Sequence, residues 1–472
     1  MTTAVAAVDL GATSGRVILG RVSANELSIR PVARFANTPV RTSDGLHWNI
    51  LELYRSVIAG LGAAARDEPA IASIGIDSWA VDYALMRNGR MLGVPYHYRD
   101  DRNRREVDGV HALVTPAELY AANGLQHLPF NTLYQLAADR SAGMLDVADS
   151  MLLVPDLLAY WMTGRAVAER TNASTTGLVD VQTGEWHAAL LGRLGLPASL
   201  LPPLVDAGTA IGPLLPDVAR EAGLPPSTTV TAVGSHDTAS AVLAVPALSP
   251  DFAYISCGTW GLVGVELEAP VLSEAGRLAN FTNEGGVDGT VRYLHNVMGL
   301  WLLSESVREW ERDGSPISLP GLLDAAAAVS VPVAVFDADD PRFLPPGDMP
   351  ARIAEWCREN GQAVPASRAE FVRSIVESLA AAFVDAVRTA AALSGTTVSV
   401  IHIVGGGSQN TLLCQRVADR SGLPVQAGPV EAPAVGNVLV QARAAGSVSG
   451  TRESLRSLVA AAFAPRLYTP AR

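Results

Sequence analysis

The sequence predicts an α/β protein of two domains, 1–245 and 246–472, built on one repeated plan. Three observations carry this. The 472 residues suffice for two large domains at ~100–200 residues each. Apolar residues make up 49% and charged residues 17%, which excludes disorder and requires large buried cores. Both halves open alike, with a strand, a turn of glycine and hydroxyl residues and a returning strand, on either side of the break Val245-Pro-Ala-Leu-Ser-Pro250.

In chain order, an apolar strand runs to Asp9, the turn is Gly11-Ala-Thr-Ser-Gly15, and residues 16–19 return. Alternation over 27–35 predicts a third antiparallel strand, kept at an edge by Pro31. Ile50, Leu53, Tyr54, Val57, Ile58 and Leu61 repeat with helical spacing. A buried strand over 71–76 leads to Asp77-Ser-Trp79, and another over 81–86 ends in the hairpin turn Asn88-Gly89. Thr115-Pro-Ala-Glu118 is a capping box with Pro at the first helical position. Residues 228–233 read as a strand and 239–245 as the start of a helix. After the break, 252–256 and 262–267 flank the turn at Gly258-Thr259. A long helix over 371–393, broken by Arg373, Glu377, Asp385 and Arg388, reads as amphipathic or buried and not as a membrane span. A strand over 398–404 runs into Gly405-Gly-Gly407 and another helix, and the acidic, Pro-rich stretch 337–350 reads as a surface loop.

The formal charge is −12 with no basic stripe, so neither nucleic acid nor an anionic membrane is an expected partner. All 35 basic residues are Arg. That excludes a lysine Schiff base, a P-loop Lys, the strand Lys of protein kinases and any Lys general base. Any handling of phosphate falls to backbone amides, hydroxyls, Arg and a metal. Cys257, Cys357 and Cys414 lack C-x-x-C spacing and read as reduced core thiols. The first ten residues lack the basic start of a secretory signal, so a cytoplasmic location is expected. Asn172-Ala-Ser174 matches a glycosylation acceptor, which means nothing without such a signal. No heptads occur, and monomer and homodimer both stay open.

Four segments offer chemistry. In Asp9-Leu-Gly-Ala-Thr-Ser-Gly-Arg16, a tight hairpin turns several N–H groups one way, a nest that suits phosphate oxygens. Thr13 and Ser14 add hydroxyls, Arg16 a fixed charge, and Asp9 a carboxylate that can face Mg²⁺ through water. An ordinary hairpin with a surface Arg fits the same octet. Gly234-Ser-His-Asp-Thr238 sets His236 and Asp237 at a strand–helix junction, where ligands of α/β sheets gather; a plain helix cap at Ser235 or Asp237 fits as well. Gly258-Thr259 and Gly405-Gly406-Gly407 allow close backbone approach, as an adenosine site needs, or simply tight packing. Asp77, Asp82, Asp100 and Arg102 stand at strand ends where a sugar could bind, or where caps and ion pairs form.

Taken together, Val8-Asp-Leu-Gly-Ala-Thr-Ser-Gly-Arg16, Gly75-Ile-Asp-Ser-Trp79, Tyr98-Arg-Asp100, Asn131-Thr-Leu-Tyr-Gln135, Gly234-Ser-His-Asp-Thr238, Cys257-Gly-Thr-Trp260, Asn296-Val-Met-Gly-Leu-Trp301, Asp340-Pro-Arg-Phe343 and Val404-Gly-Gly-Gly-Ser-Gln-Asn-Thr-Leu-Leu413 resemble the FGGY carbohydrate kinases. The His-Asp pair points within that family to the kinases of L-rhamnulose. The resemblance covers nearly the whole chain and implies two ribonuclease-H-like domains, as in actin and hexokinase, with a ligand cleft between them. It implies ATP with Mg²⁺ and a ketose as ligands, and phosphorylation of the 1-hydroxyl of L-rhamnulose. Asp237 matches the family's general base and His236 a sugar contact. Ala12, Thr13, Ser14, Gly15 and Arg16 match the ATP phosphate loop, with Thr259, Asn296 and Gly405 to Gly407 on the nucleotide side. Two positions depart from the pattern: Ala80 stands where Gly follows the Trp beside the sugar, and Ser304 where some members use Gln toward ATP. Another ketose (L-fuculose, L-xylulose or L-ribulose) stays open because of Ala80, as does an actin-like nucleotide switch that takes no sugar.

Overall fold

The structure, a computed structural model, describes residues 2–312, 314 and 316–471. The chain folds into two compact units, one of Met1–Leu248, Glu266–Tyr293 and Ala432–Phe463, the other of Ser249–Val265, Leu294–Glu431 and Ala464–Arg472. The linear division expected at 245/246 therefore meets only the first crossing. Residues 266–293 and 432–463 belong to the first unit, so the chain returns to it twice.

The first unit is built on strands β1 (Thr3–Leu10), β2 (Ser14–Ser23), β3 (Glu26–Ala36), β4 (Ser73–Ser78), β5 (Ala210–Pro213) and β6 (Thr229–Thr231), in the order β3-β2-β1-β4-β6-β5. β1 and β2 are antiparallel with Asp9 opposite Arg16, and β1 and β4 are parallel with Asp9 opposite Asp77. As Pro31 requires, β3 is an edge strand, with a bulge opposite Val17 and Ile18 absorbing the missing N–H. Helix α1 (Ile50–Asp67) buries Leu53, Val57, Ile58 and Leu61 against the sheet. Helix α2 (Asp237–Leu243) follows β6.

The second unit contains β7 (Phe252–Cys257), β8 (Trp260–Leu267), β9 (Val291–Met298), β10 (Val400–Val404), β11 (Val425–Ala427) and β12 (Arg466–Tyr468), with the unit boundaries falling inside β8 and β9. With the strand Thr282–Gly285 at the edge beside β9 they form a seven-stranded sheet in the order β9-β8-β7-β10-β11-β12, and as in the first sheet a leading antiparallel hairpin is followed by a parallel strand. The repeated plan expected from the two hairpins holds for the hairpin, the strand beside it and the first parallel strand; beyond them the sheets differ, since the chain forms the far edge strand before its inner neighbour in the first sheet and after it in the second. Helix α3 (Arg368–Ser394) lays the Phe383 ring where a Cβ on Gly261 would stand, 2.4 Å away. Helix α4 (Thr411–Ser421) follows the triple glycine, and α5 (Ala432–Ala444) is the element that re-enters the first unit.

Three local readings are corrected. Val81 is not in a strand: its φ is +68°, and the strand begins at Tyr83. The stretch 337–350 is not all surface, because Ala338, Phe343 and Met349 are buried and Trp301 Nε1 donates to the Phe343 carbonyl at 3.0 Å. The helix expected from 239 begins at Asp237, with His236 at its cap position. All three cysteines are free and buried.

Candidate active site

In the first unit the leading hairpin is fixed from behind. Gly11 N–H donates to the Ser14 carbonyl at 2.9 Å, while Asn37 donates to the Thr13 carbonyl (3.0 Å) and, through Nδ2, to the Gly11 carbonyl (2.9 Å). Thr13 is exposed, and Gly11, Ala12 and Ser14 are partly so. The register across β1 and β2 sets Arg16 Nε 2.9 Å from Asp9 Oδ2, so the two charged residues expected to face phosphate and metal balance one another.

One strand over, Ser78 N–H donates to the Ser235 carbonyl at 2.9 Å and Ser78 bridges His236, which extends the parallel pairing of β4 onto the loop before α2. Asp9, Asp77 and Asp237 therefore stand at the carboxyl ends of neighbouring segments. Burial, then the charge of Asp9 and also that of Asp237, hold the Asp77 carboxyl well above the usual carboxylate range, against the pull of the Asn437 Nδ2 donor at 2.6 Å and of Arg16. Asp77 is fully buried, whereas the Asp237 side chain keeps 29% of its surface. The carboxylate free to meet a substrate is Asp237. Neither Ser235 nor Asp237 serves as a helix cap, since the cap residue is His236 and it makes no side-chain capping bond.

The loop is anchored by residues that sequence reasoning missed. Buried Glu169 accepts from Ser235 N–H (3.0 Å) and Oγ (2.9 Å), and from Thr171 N–H (3.0 Å) and Oγ1 (2.6 Å). Burial raises its carboxyl and these donors draw it back. Asn172, far from being a surface acceptor, is buried and donates to the Ser235 carbonyl at 3.3 Å. Only the fold brings 169–172 beside 235, and an isolated Glu carries no local signal.

Around Ala80 the wall is aromatic. Trp48 packs on Trp79 and on His97, each with ring centroids 3.9 Å apart. Asp82 ties them together, accepting from Trp48 Nε1 (2.6 Å), Trp79 Nε1 (3.1 Å), Tyr98 N–H (3.1 Å) and Gln135 Nε2 (2.8 Å). Burial pushes Asp82 up to about 7 despite those donors, and burial lowers His97 to about 3, so that ring is neutral. Between about pH 4 and 7 an unfolded Asp82 is ionised while the folded one keeps its proton. Its contribution to stability is complete below pH 4 and is lost as pH rises through 7, by up to about 4 kcal/mol. Unfolding curves over that range will fall with pH for the wild type relative to Asp82→Asn; parallel curves would contradict the assignment. The other two candidates are structural: Asp100 accepts from Leu46 and Arg102 N–H, and the Arg102 guanidinium pairs with Asp139.

In the second unit, Gly405 has φ +81°, and a Cβ on Gly407 would lie 2.2 Å from Cys257 Sγ. The triple glycine therefore lies directly against the β7–β8 turn that carries Thr259, while Gly406 is exposed and open. Asn296 lies on β9, beside β8 in the sheet. Ser304 is exposed on the helix Trp301–Trp310.

Residues 4–244 match the N-terminal domain of the FGGY family of carbohydrate kinases, and residues 253–445 its C-terminal domain. The chain belongs to this family. Among its FGGY relatives is a rhamnulokinase of Bacteroides thetaiotaomicron, 40% identical over 467 residues, 98% of this chain and 95% of the relative. Another, from Pectobacterium atrosepticum, is 42% identical over 476 residues, 99% and 93% of the two chains. The fold matches a gluconate kinase of Lactobacillus acidophilus (TM-score 0.80, 16% identity, covering 100% of this chain and 94% of that one). It also matches a Plasmodium falciparum glycerol kinase with ADP (TM-score 0.78, 14% identity, 99% and 94%). As an FGGY member the protein is a carbohydrate kinase that uses ATP. Among the described residues no cluster of three or more His, Cys, Asp or Glu is placed to hold a metal ion, and no helix is long and apolar enough to cross a membrane.

Proposed function

We propose that this FGGY kinase transfers the γ-phosphoryl group of ATP to the 1-hydroxyl of L-rhamnulose, giving L-rhamnulose 1-phosphate and ADP. The observation that carries the reading is identity of 40% and 42% to two rhamnulokinases over nearly the full chain. The arrangement of Asp237 supports it: partly exposed, at a rigidly anchored junction, beside His236.

The sugar hydroxyl oxygen attacks the γ-phosphorus, the bond from that phosphorus to the β-bridging oxygen breaks, and the hydroxyl proton passes to an Asp237 carboxylate oxygen. In a loose transition state the proton is needed late, so an ordinary carboxylate serves. His236 and the wall at Ala80 orient the ketose. The amides and hydroxyls of Ala12 to Gly15, with Arg16, hold phosphate oxygens. Thr259, Asn296, Ser304 and Gly405 to Gly407 hold the nucleoside. Asp9, at the end of β1 beside the phosphate loop and balanced by Arg16, is the carboxylate that would hold a hydrated Mg²⁺ through water. Bound there with ATP, Mg²⁺ supplies charge neutralisation on the transferring oxygens.

Coupled ADP release with Mg-ATP across a panel of ketoses and aldoses tests the reading. L-Rhamnulose is expected to exceed every other sugar in kcat/KM by at least about tenfold, the discrimination one buried contact supplies. Ala80 favours one second reading, the same transfer to another ketose. Preference for such a sugar, moved toward L-rhamnulose by Ala80→Gly, would establish it. No response to any sugar would leave a nucleotide switch.

A further inference from the structure

On the Nδ1 side of the His236 ring, two charged side chains occupy buried space that the transfer chemistry leaves unused. Arg292, on β9, has no exposed side-chain surface. Its Nε donates to the Gly285 carbonyl at 2.9 Å, its Nη1 lies 3.1 Å from Glu284 Oε2, and its Nη2 lies 3.1 Å from His236 Nδ1. Glu284 Oε2 lies 3.3 Å from the same Nδ1. The other ring nitrogen, Nε2, is 3.4 Å from Asp237 Oδ1.

A guanidinium keeps all its protons and can only donate. Nδ1 can accept from Arg292 or donate to Glu284, and these choices put the imidazole proton on opposite nitrogens. The Glu284 carboxylate already faces Arg292 Nη1, and although burial raises its carboxyl, the Arg292 charge and then the neighbouring His236 bring it below the usual range. The geometry favours acceptance from Arg292: Nη2 stands 3.1 Å from Nδ1 in hydrogen-bonding position, whereas Glu284 Oε2 is farther from it, at 3.3 Å, and is engaged with Nη1. We propose that Arg292, braced by Glu284 and the Gly285 carbonyl, is a positioning residue that holds His236 as a neutral imidazole protonated on Nε2. The ring then presents a donor next to the Asp237 acceptor, and a ketose meets one of each. This rests on the reading of His236 as a sugar contact.

Long-range ¹⁵N–¹H correlation spectra of the full chain, labelled with ¹⁵N-histidine, test it, with His236→Gln identifying the signals. The wild type is expected to show an unprotonated Nδ1 and a protonated Nε2 at His236; the reverse pattern overturns the proposal. In Arg292→Met the proton moves to Nδ1, facing Glu284, and KM for the preferred ketose rises about tenfold while kcat changes by less than about threefold, as loss of one charge-assisted bond requires. An unchanged tautomer in that variant also overturns it. If Arg292→Met does not fold, the wild-type spectrum decides alone. A His236→Gln enzyme with unaltered KM for every sugar would instead sink the sugar-contact reading, whichever tautomer the spectrum shows.

Discussion

Asp237→Asn will lower sugar-dependent ADP release by about 10³-fold, some 4 kcal/mol of barrier, while ATP binding persists. The amide keeps the shape of the carboxylate and can still accept from Thr238 Oγ1, now 3.2 Å away, but it cannot take a proton. The protein will not lose stability. Asp237 is one of the two like charges that hold the Asp77 carboxyl up, so removing it relieves a repulsion. The melting temperature of the variant is therefore expected to equal or exceed that of the wild type. This pairing of outcomes separates a base from a structural residue. Turnover within tenfold of wild type, or a marked fall in melting temperature, would contradict the role given to Asp237.

What could be read in the sequence was whatever short-range chemistry determines. The hairpin at Gly11 to Gly15, the edge position of β3 from Pro31, and the capping box at Thr115 each follow from neighbouring residues, and each is present. The Gly-Ser-His-Asp-Thr segment was legible as a junction, yet its own features could not tell a cap from a base. The structure separates the two, because Ser235 is taken up by Glu169 and the Asp237 side chain is not used in capping. Glu169, Asn437, Glu284 and Arg292 were not legible. Each is a single polar residue whose partner lies tens to hundreds of positions away, and burial among such partners leaves no periodicity to detect. The return of α5 to the first unit was hidden for a related reason. An Ala- and Val-rich helix fits many apolar surfaces, and nothing in its own residues names the one it covers.

That helix also sets the second large effect, since Gly436→Ala will both destabilise the protein and displace the base. A Cβ on Gly436 would stand 1.9 Å from the Ser240 carbonyl oxygen, one turn into α2, and 2.6 Å from its carbon. These are backbone atoms and no rotamer change relieves the contact, so α5 and α2 must separate. On the other side of α5 the room is taken as well: a Cβ on Gly75 of β4 would lie 2.3 Å from Asn437 Oδ1, and Gln441 Nε2 donates to the Ala6 carbonyl at 3.1 Å. The displacement therefore falls on α2, whose first residue is Asp237. Overpacking of this kind costs about 3 kcal/mol, which for a unit of this size lowers the melting temperature by roughly 5 °C. A shift near 1 Å at the base lowers kcat by roughly 10–100-fold with little change in KM for ATP. Gly109→Ala, in an exposed helix where an added Cβ meets nothing within 4 Å, is the control and should gain about 0.5–1 kcal/mol. A Gly436→Ala enzyme that melts early but turns over normally would show that α5 supports the sheet without holding α2 in register, and the placement of Asp237 would then depend on the Glu169 anchor alone.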